Sequence, residues 1–121
     1  MRHCLIADDS EVIRKVLRRI LDSMEFRVSE AEDGDQALAA CVEDMPDLVI
    51  LDCHVPGLDS HAFLRALRRA PEGSKPKVVL CTAENDVALI ARARLAGADE
   101  FLLKPFDKGH VGVALREVGF A

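Results

Sequence analysis

The sequence predicts an α/β fold: a single-domain, doubly wound parallel sheet of five strands with five helices. Three observations lead there. Short apolar runs alternate with longer stretches of helical periodicity five times along the 121 residues. Four of those runs lack polar alternation, the mark of strands covered on both faces. The alternation itself requires right-handed crossovers, with helices on both sides of one sheet. No linker, repeat or low-complexity segment interrupts it, so residues 1–121 are expected to form one domain with no effector domain attached.

The elements follow in order. "CLIA" over 4–7 is the first strand. Val12, Ile13, Val16, Leu17, Ile20, Leu21 and Met24 then recur with helical spacing, leaving a single wet face. Phe26 and Val28 alternate as a strand would. "DGDQALAACVEDM" over 33–45 is helical and stops before Pro46. "DLVILD" over 47–52 is the third strand, and "VPGLDS" over 55–60 is turn chemistry. "HAFLRALRRA" over 61–70 is helix, ended by Pro71 and Gly73. "KVVLCT" over 77–82 is the fourth strand. The helix over 85–97 has Asn85 or Asp86 as N-cap and Gly97 as its stop. "EFLLK" over 100–104 is a fifth, buried run before Pro105. The last helix, over 107–119, contains Gly109 and Gly112, so it depends on packing and is expected to be the least rigid.

Composition narrows the function. Half of the residues are apolar and 31% are charged, as in ordinary globular domains. Without Trp or Tyr, the core must come from Leu, Val, Ala and Ile with five Phe. The net charge of −5 argues against a generic nucleic-acid binder. Arginines gather in "IRKVLRRI" and "LRALRRA", on helical patterns that read as solvated faces, with protein docking as the alternative. Cys4, Cys41, Cys53 and Cys81 lack metal-ligand spacing and read as buried thiols rather than a disulfide or zinc site. The apolar run Cys4 to Ala7 is too short for a signal peptide, and no run reaches transmembrane length. A cytoplasmic location is the expectation.

In a parallel sheet the carboxyl ends of the strands share one edge, where ligands bind. This sequence puts Asp8 and Asp9 after the first strand, Asp52 at the third, Thr82 at the fourth and Lys104 at the fifth. Carboxylates about 4 Å apart repel by about 4 kcal/mol per pair at an effective dielectric near 20. Lys104 offsets one of the three. A hard divalent cation such as Mg²⁺ would offset two more, since it takes carboxylate, carbonyl and water oxygens. The alternative is three separately solvated acids. A carboxylate can also act as a nucleophile toward phosphorus, giving an acyl phosphate. Asp52 stands alone on the central strand and is the candidate nucleophile, while Asp8 and Asp9 form the metal pair. Thr82 and Lys104 would stabilise the phosphoryl oxygens.

"ADDS", "LVILD", "VPG", "CTAEN" and "LLKPF", in that order and spacing, resemble the marks of response-regulator receiver domains, the CheY-like superfamily. The resemblance covers essentially the whole chain. It implies the flavodoxin-like strand order 2-1-3-4-5. It implies Asp52 as phosphoacceptor, with Asp9 as a direct Mg²⁺ ligand and Asp8 as its partner. Asp52 and the backbone carbonyl of His54 complete the protein ligands. Thr82 and Lys104 match the switch hydroxyl and the phosphoryl-binding lysine, and the Lys104–Pro105 peptide is cis in such proteins. Phe101 falls at the switch aromatic, with plain core as the alternative.

The implied activity is a two-component signalling switch of bacterial chemotaxis type rather than an enzyme with an external substrate. It takes a phosphoryl group from a histidine kinase or histidine phosphotransfer protein with Mg²⁺ and loses it by autodephosphorylation. The surface of the fourth helix, fifth strand and fifth helix then changes its affinity for a target, expected to be the flagellar switch. The alternative output is a phosphate sink or phosphorelay shuttle. A monomer is expected, with dimerisation on activation left open, and no direct nucleic-acid contact and no membrane insertion are expected.

Departures from the pattern are His54, two residues after Asp52, where a side chain either tunes dephosphorylation or points to solvent, and Ser60, where Gly is frequent. Glu84 is expected near the site, disfavouring further anions. Two other classes fit less well. A flavin-binding module needs a Ser-, Thr- and Gly-rich first loop, which "ADDSE" is not. A haloacid-dehalogenase-type phosphatase needs a second acid at the position of His54.

Overall fold

The structure is a computed structural model describing residues 1–83 and 85–120. Strands and helices alternate strictly: β1 (His3–Ala7), α1 (Glu11–Ser23), β2 (Arg27–Ala31), α2 (Gly34–Glu43), β3 (Leu48–Asp52), α3 (Ser60–Arg69), β4 (Lys77–Thr82), α4 (Val87–Ala96), β5 (Glu100–Leu103) and α5 (Lys108–Glu117). The strands form one parallel sheet in the order β2-β1-β3-β4-β5. This is the predicted architecture.

The sheet has two cores because strand side chains alternate between its faces. Leu5 and Ala7 of β1, Val49 and Leu51 of β3, and Val78 and Leu80 of β4 point to one face. There they meet Ala37 and Cys41 of α2, Phe63, Leu64 and Leu67 of α3, and Ala93 of α4. Cys4, Ile6, Leu48, Ile50, Val79 and Cys81 point the other way, onto Leu17, Ile20 and Leu21 of α1 and Val111, Ala114 and Leu115 of α5. The uninterrupted apolar runs follow directly, since both faces are covered. All four cysteines are buried, and none forms a disulfide among the described residues. Burial pushes the Cys41 and Cys81 thiols up to about 12.

Each helix begins on a side-chain cap. Ser10, Asp33, Asp59, Asp86 and Asp107 each accept a hydrogen bond from a backbone N–H in the first turn. In α5 the ring of His110 closes the reciprocal capping box. These caps settle the N-terminal boundaries, and Asp86 rather than Asn85 starts α4. Gly97 ends that helix at φ +119°, a left-handed conformation suited to glycine. No helix among the described residues is long and apolar enough to cross a membrane.

Three expectations need correction. In α1 the apolar stripe is wider than the contact it makes, and Val12 remains 69% exposed. β5 is not a fully buried run: it is an edge strand, and Leu103 at its end is 50% exposed. The arginine clusters are not simply solvated. Arg14 is buried, and Arg68 is partly buried with its guanidinium on the carbonyls of Gly73, Pro76 and Gly97.

At the amino-terminal edge of the sheet, His3 is buried, with Nε2 2.7 Å from the Ser29 hydroxyl. Its Nδ1 makes no hydrogen bond among the described residues and lies 3.7 Å from the Asp44 carboxylate. Burial, and then the nearby Arg27 guanidinium, hold the His3 pKa below its ordinary value, against the raising influence of Asp44 and Asp47. The fold therefore prefers the neutral ring. As pH falls through about 6.5, the unfolded chain takes up a proton that the folded chain resists, and stability declines. Glu30 and Asp44, held low in the fold, lose their contributions only at more acidic pH, where carboxylates titrate. The urea midpoint is expected to fall between pH 7 and pH 5.5, and His3→Gln to flatten that fall. Equal slopes in the two proteins would contradict this assignment.

Candidate functional site

The carboxyl edge of the sheet gathers the predicted residues. β1 runs directly into Asp8 and Asp9; Asp8 is buried and Asp9 is exposed. Asp52 and Thr82 are the last residues of β3 and β4, and both are buried. Lys104 follows β5 and is half-buried, and the Lys104–Pro105 peptide is cis. Oxygen atoms of Asp8, Asp9 and Asp52 all lie within 4.8 Å of one another.

Lys104 ties the group together. Its Nζ lies 2.9 Å from Asp8 Oδ2 and 3.0 Å from Asp52 Oδ1. The lysine thus pairs with two carboxylates, not the single one expected from sequence. Burial pulls its pKa down, but the two carboxylates more than offset this and hold it above the ordinary value. The Lys104 N–H donates to the Thr82 carbonyl at 2.8 Å, fixing the start of the segment beyond β5.

The β1–α1 turn is held from below. Asp8 Oδ1 accepts from the Ser10 N–H at 2.9 Å. Arg14 Nη1 donates to the Asp8 carbonyl at 2.7 Å, and its Nε donates to Glu30 Oε1 at 2.9 Å. Arg18 Nε donates to the other Glu30 oxygen at 2.7 Å. Burial works against the charge on Glu30, yet these two guanidiniums hold its carboxyl below the usual range. Sequence reasoning missed Arg14. The available signal was its place inside the stripe formed by Ile13, Leu17, Ile20 and Leu21, where a charge needs a buried partner.

The β3–α3 turn is equally ordered. The Cys53 N–H donates to the Cys81 carbonyl, and the Val55 N–H to the Asp52 carbonyl. His54 is exposed within this turn. Asp35 Oδ2 accepts from the Leu58 N–H at 3.1 Å, and Gly57 takes the left-handed φ of +76° beside the same carboxylate. Ser60 is the first residue of α3, after the Asp59 cap. Phe101 is half-buried against the core on the α2–α3–α4 side, with the Arg94 guanidinium carbon 4.9 Å from its ring centre. That cation–π contact was not foreseen either. Glu84, expected near the site, lies outside the described residues.

The family model for the response regulator receiver domain matches residues 4–116. The chain belongs to this family. It is therefore a receiver domain of two-component phosphorelay signalling. Among the relatives of this receiver is a protein of Rhizobium etli named as a chemotaxis protein CheY. It is 35% identical over 94% of this chain and 89% of its own length. The transcriptional regulatory protein ResD of Bacillus subtilis is 34% identical over 88% of this chain but only 43% of its own length. The chain spans about half or less of such regulators. The chemotaxis response regulator CheY4 of Vibrio cholerae has the same fold, with TM-score 0.92, 27% identity and 98% of each chain covered. The receiver domain of a sensor histidine kinase from Pseudomonas aeruginosa, solved with magnesium in its active-site cleft, superposes with TM-score 0.86 at 26% identity, again covering 98% of each chain.

Receiver domains bind Mg²⁺ at an acidic pocket, and Asp8, Asp9 and Asp52 form such a cluster here. Among the described residues Lys104 is the one cation paired with these carboxylates, and three acids against one lysine leave an excess of negative charge. Removing one carboxylate should therefore relieve repulsion when no cation is present. Asp9→Asn, measured by urea unfolding in EDTA, is expected to gain about 0.5–1 kcal/mol, a modest figure because Asp9 faces water. A loss of stability would show that Asp9 makes favourable contacts outweighing the repulsion.

Proposed function

We propose that Asp52 is the phosphoacceptor of this receiver and that Mg²⁺ is its cofactor. The observation carrying the proposal is the Lys104 ammonium seated between Asp8 and Asp52, beside a third carboxylate within ligand distance. The donor set suits Mg²⁺, which takes hard oxygens and leaves room for waters. In this reading Asp9 and Asp52 are direct ligands, Asp8 is a supporting one, and the backbone carbonyl of His54 completes the protein set. When bound, the ion supplies positive charge for the transferring phosphoryl oxygens.

The step is a phosphoryl transfer from a phosphohistidine. An oxygen of Asp52 forms a bond to phosphorus as the P–N bond breaks, and the leaving imidazole takes a proton. With Oδ1 paired to Lys104, Oδ2 is the attacking oxygen. Lys104 then follows the new negative charge onto a phosphoryl oxygen, and the Thr82 hydroxyl donates to another. Water later attacks the acyl phosphate, releasing inorganic phosphate and restoring the carboxylate. His54, exposed two residues from Asp52, is the candidate to tune that hydrolysis.

Output follows from the neighbourhood of Thr82 and Phe101. A phosphoryl group that draws Thr82 inward favours the buried state of Phe101 and alters the α4–β5–α5 face. That face carries a hollow of about 410 Å³ lined by Phe101, Leu103, Pro105 and Val113, among others, suited to an apolar anchor from a protein target. The near-full-length likeness to chemotaxis proteins favours a motility target in the bacterial cytoplasm over a phosphate sink or shuttle.

Incubation with acetyl phosphate or phosphoramidate, followed by intact mass measurement, tests this reading. One phosphoryl group is expected, dependent on Mg²⁺ and absent from Asp52→Ala. Followed over time, His54→Asn is expected to change the rate at which the added mass is lost. A phosphoryl group that persists in Asp52→Ala would move the acceptor elsewhere, and an unchanged lifetime would leave His54 without a role.

A further inference from the structure

The face between α3 and α4 lies apart from the site, and it shares no lining residue with the β5–α5 hollow. On a chain of net charge −5 it collects positive charge. His61, Arg65, Arg68 and Arg69 of α3 line a hollow of about 360 Å³ with Leu95 and Ala96 of α4. His61 also lines an adjoining hollow of about 210 Å³, reached by Arg92 and Leu89 of α4. Among the described residues Asp59 is the one carboxylate at its rim, and that side chain is engaged in capping α3.

The arginines divide into two kinds. Arg68 turns inward: it donates to the carbonyls of Gly97, Gly73 and Pro76 and pairs with Asp99 at 3.0 Å. Its charge is consumed by the fold. Arg65, Arg69 and Arg92 are exposed, and none pairs with a carboxylate among the described residues. Between them the floor is apolar. Leu95 is 90% exposed, next to the partly buried Leu89 and Ala96. Guanidinium groups match carboxylates in bidentate geometry, and an exposed leucine beside them offers an apolar anchor point.

We propose that this α3–α4 groove docks an acidic segment of a partner protein. The partner's carboxylates would pair with Arg65, Arg69 and Arg92, and one of its apolar side chains would cover Leu95. Charge complementarity selects this occupant over others. A nucleic acid would meet a net negative chain, and among the described residues the one ring lining the groove is the small imidazole of His61, with no Phe there to stack a base. A lipid surface needs a broader apolar face than one leucine gives. The groove uses neither Asp52 nor the switch residues, so docking there adds a second contact surface to the receiver.

The probe is a short fluorescein-labelled peptide in which glutamate pairs flank two leucines, followed by anisotropy with the unphosphorylated full chain. Saturable binding is expected, weakening as salt is raised. Arg65→Glu combined with Arg69→Glu should weaken it about tenfold, and Leu95→Ser should also weaken it. Arg65→Gln with Arg69→Gln, checked for an unchanged urea midpoint, guards against misfolding and should show a smaller loss. Asp52→Ala should bind as well as wild type, which separates this surface from the phosphorylation site. Binding insensitive to the arginine changes would overturn the proposal. So would equal binding of a glutamate peptide without leucine, or binding of an RNA oligonucleotide or anionic vesicles in preference to the peptide.

Discussion

Lys104 emerges from the end of β5, yet its ammonium sits between the carboxylates of Asp8 and Asp52, on the far side of β4. β3 is two strand spacings from β5, roughly 10 Å in a regular sheet, and β1 is one spacing further. The residue closing β4 is Thr82, short and buried, so a long side chain can pass over it. The contact therefore depends on the strand order, on parallel strands that end on one edge, and on every crossover. Three acids in one place would otherwise strain the fold by mutual repulsion. The lysine offsets part of that cost while leaving the cluster anionic, the condition in which a divalent cation binds.

Around this pairing lies a second layer that positions rather than reacts. Arg14 holds the Asp8 carbonyl and shares Glu30 with Arg18, linking α1, the β1–α1 turn and β2. Asp35 plays a similar part on the other side, accepting from the Leu58 N–H in the β3–α3 segment. The Cys53 N–H bonded to the Cys81 carbonyl ties the turn after Asp52 to β4. The turns that carry Asp8 and Asp52 are thus fixed by hydrogen bonds to their backbone, and the oxygens of Asp8, Asp9 and Asp52 lie gathered within 4.8 Å of one another. Phe101 is held more loosely: it is half-buried, and its ring lies beneath an exposed arginine.

Much of this was legible in the sequence, for a definite reason. A strand buried on both faces must be continuously apolar, so "CLIA", "LVILD" and "KVVLCT" announce themselves, and so do the polar residues that end them. Topology then brings Asp8, Asp9, Asp52, Thr82 and Lys104 to one edge without further information. What failed to show were features that depend on side-chain direction. Val12 belongs to the apolar period of α1 but stands outside its contact. Leu103 lies in an apolar run that is covered on one side only, because β5 is an edge strand. Arg14 and Arg68 looked like members of wet arginine clusters, although each is turned inward onto backbone carbonyls outside its own helix. Periodicity identifies the face a residue occupies, not the partner it finds there.

The central claim is that the carboxylate cluster, compensated in part by Lys104, is a cation site completed by Asp52. Isothermal titration of the chain with Mg²⁺ tests it most directly. One saturable site is predicted in wild type, lost in Asp9→Asn and weakened in Asp52→Asn. Binding of equal strength in both variants, or no saturable binding in wild type, would contradict the account.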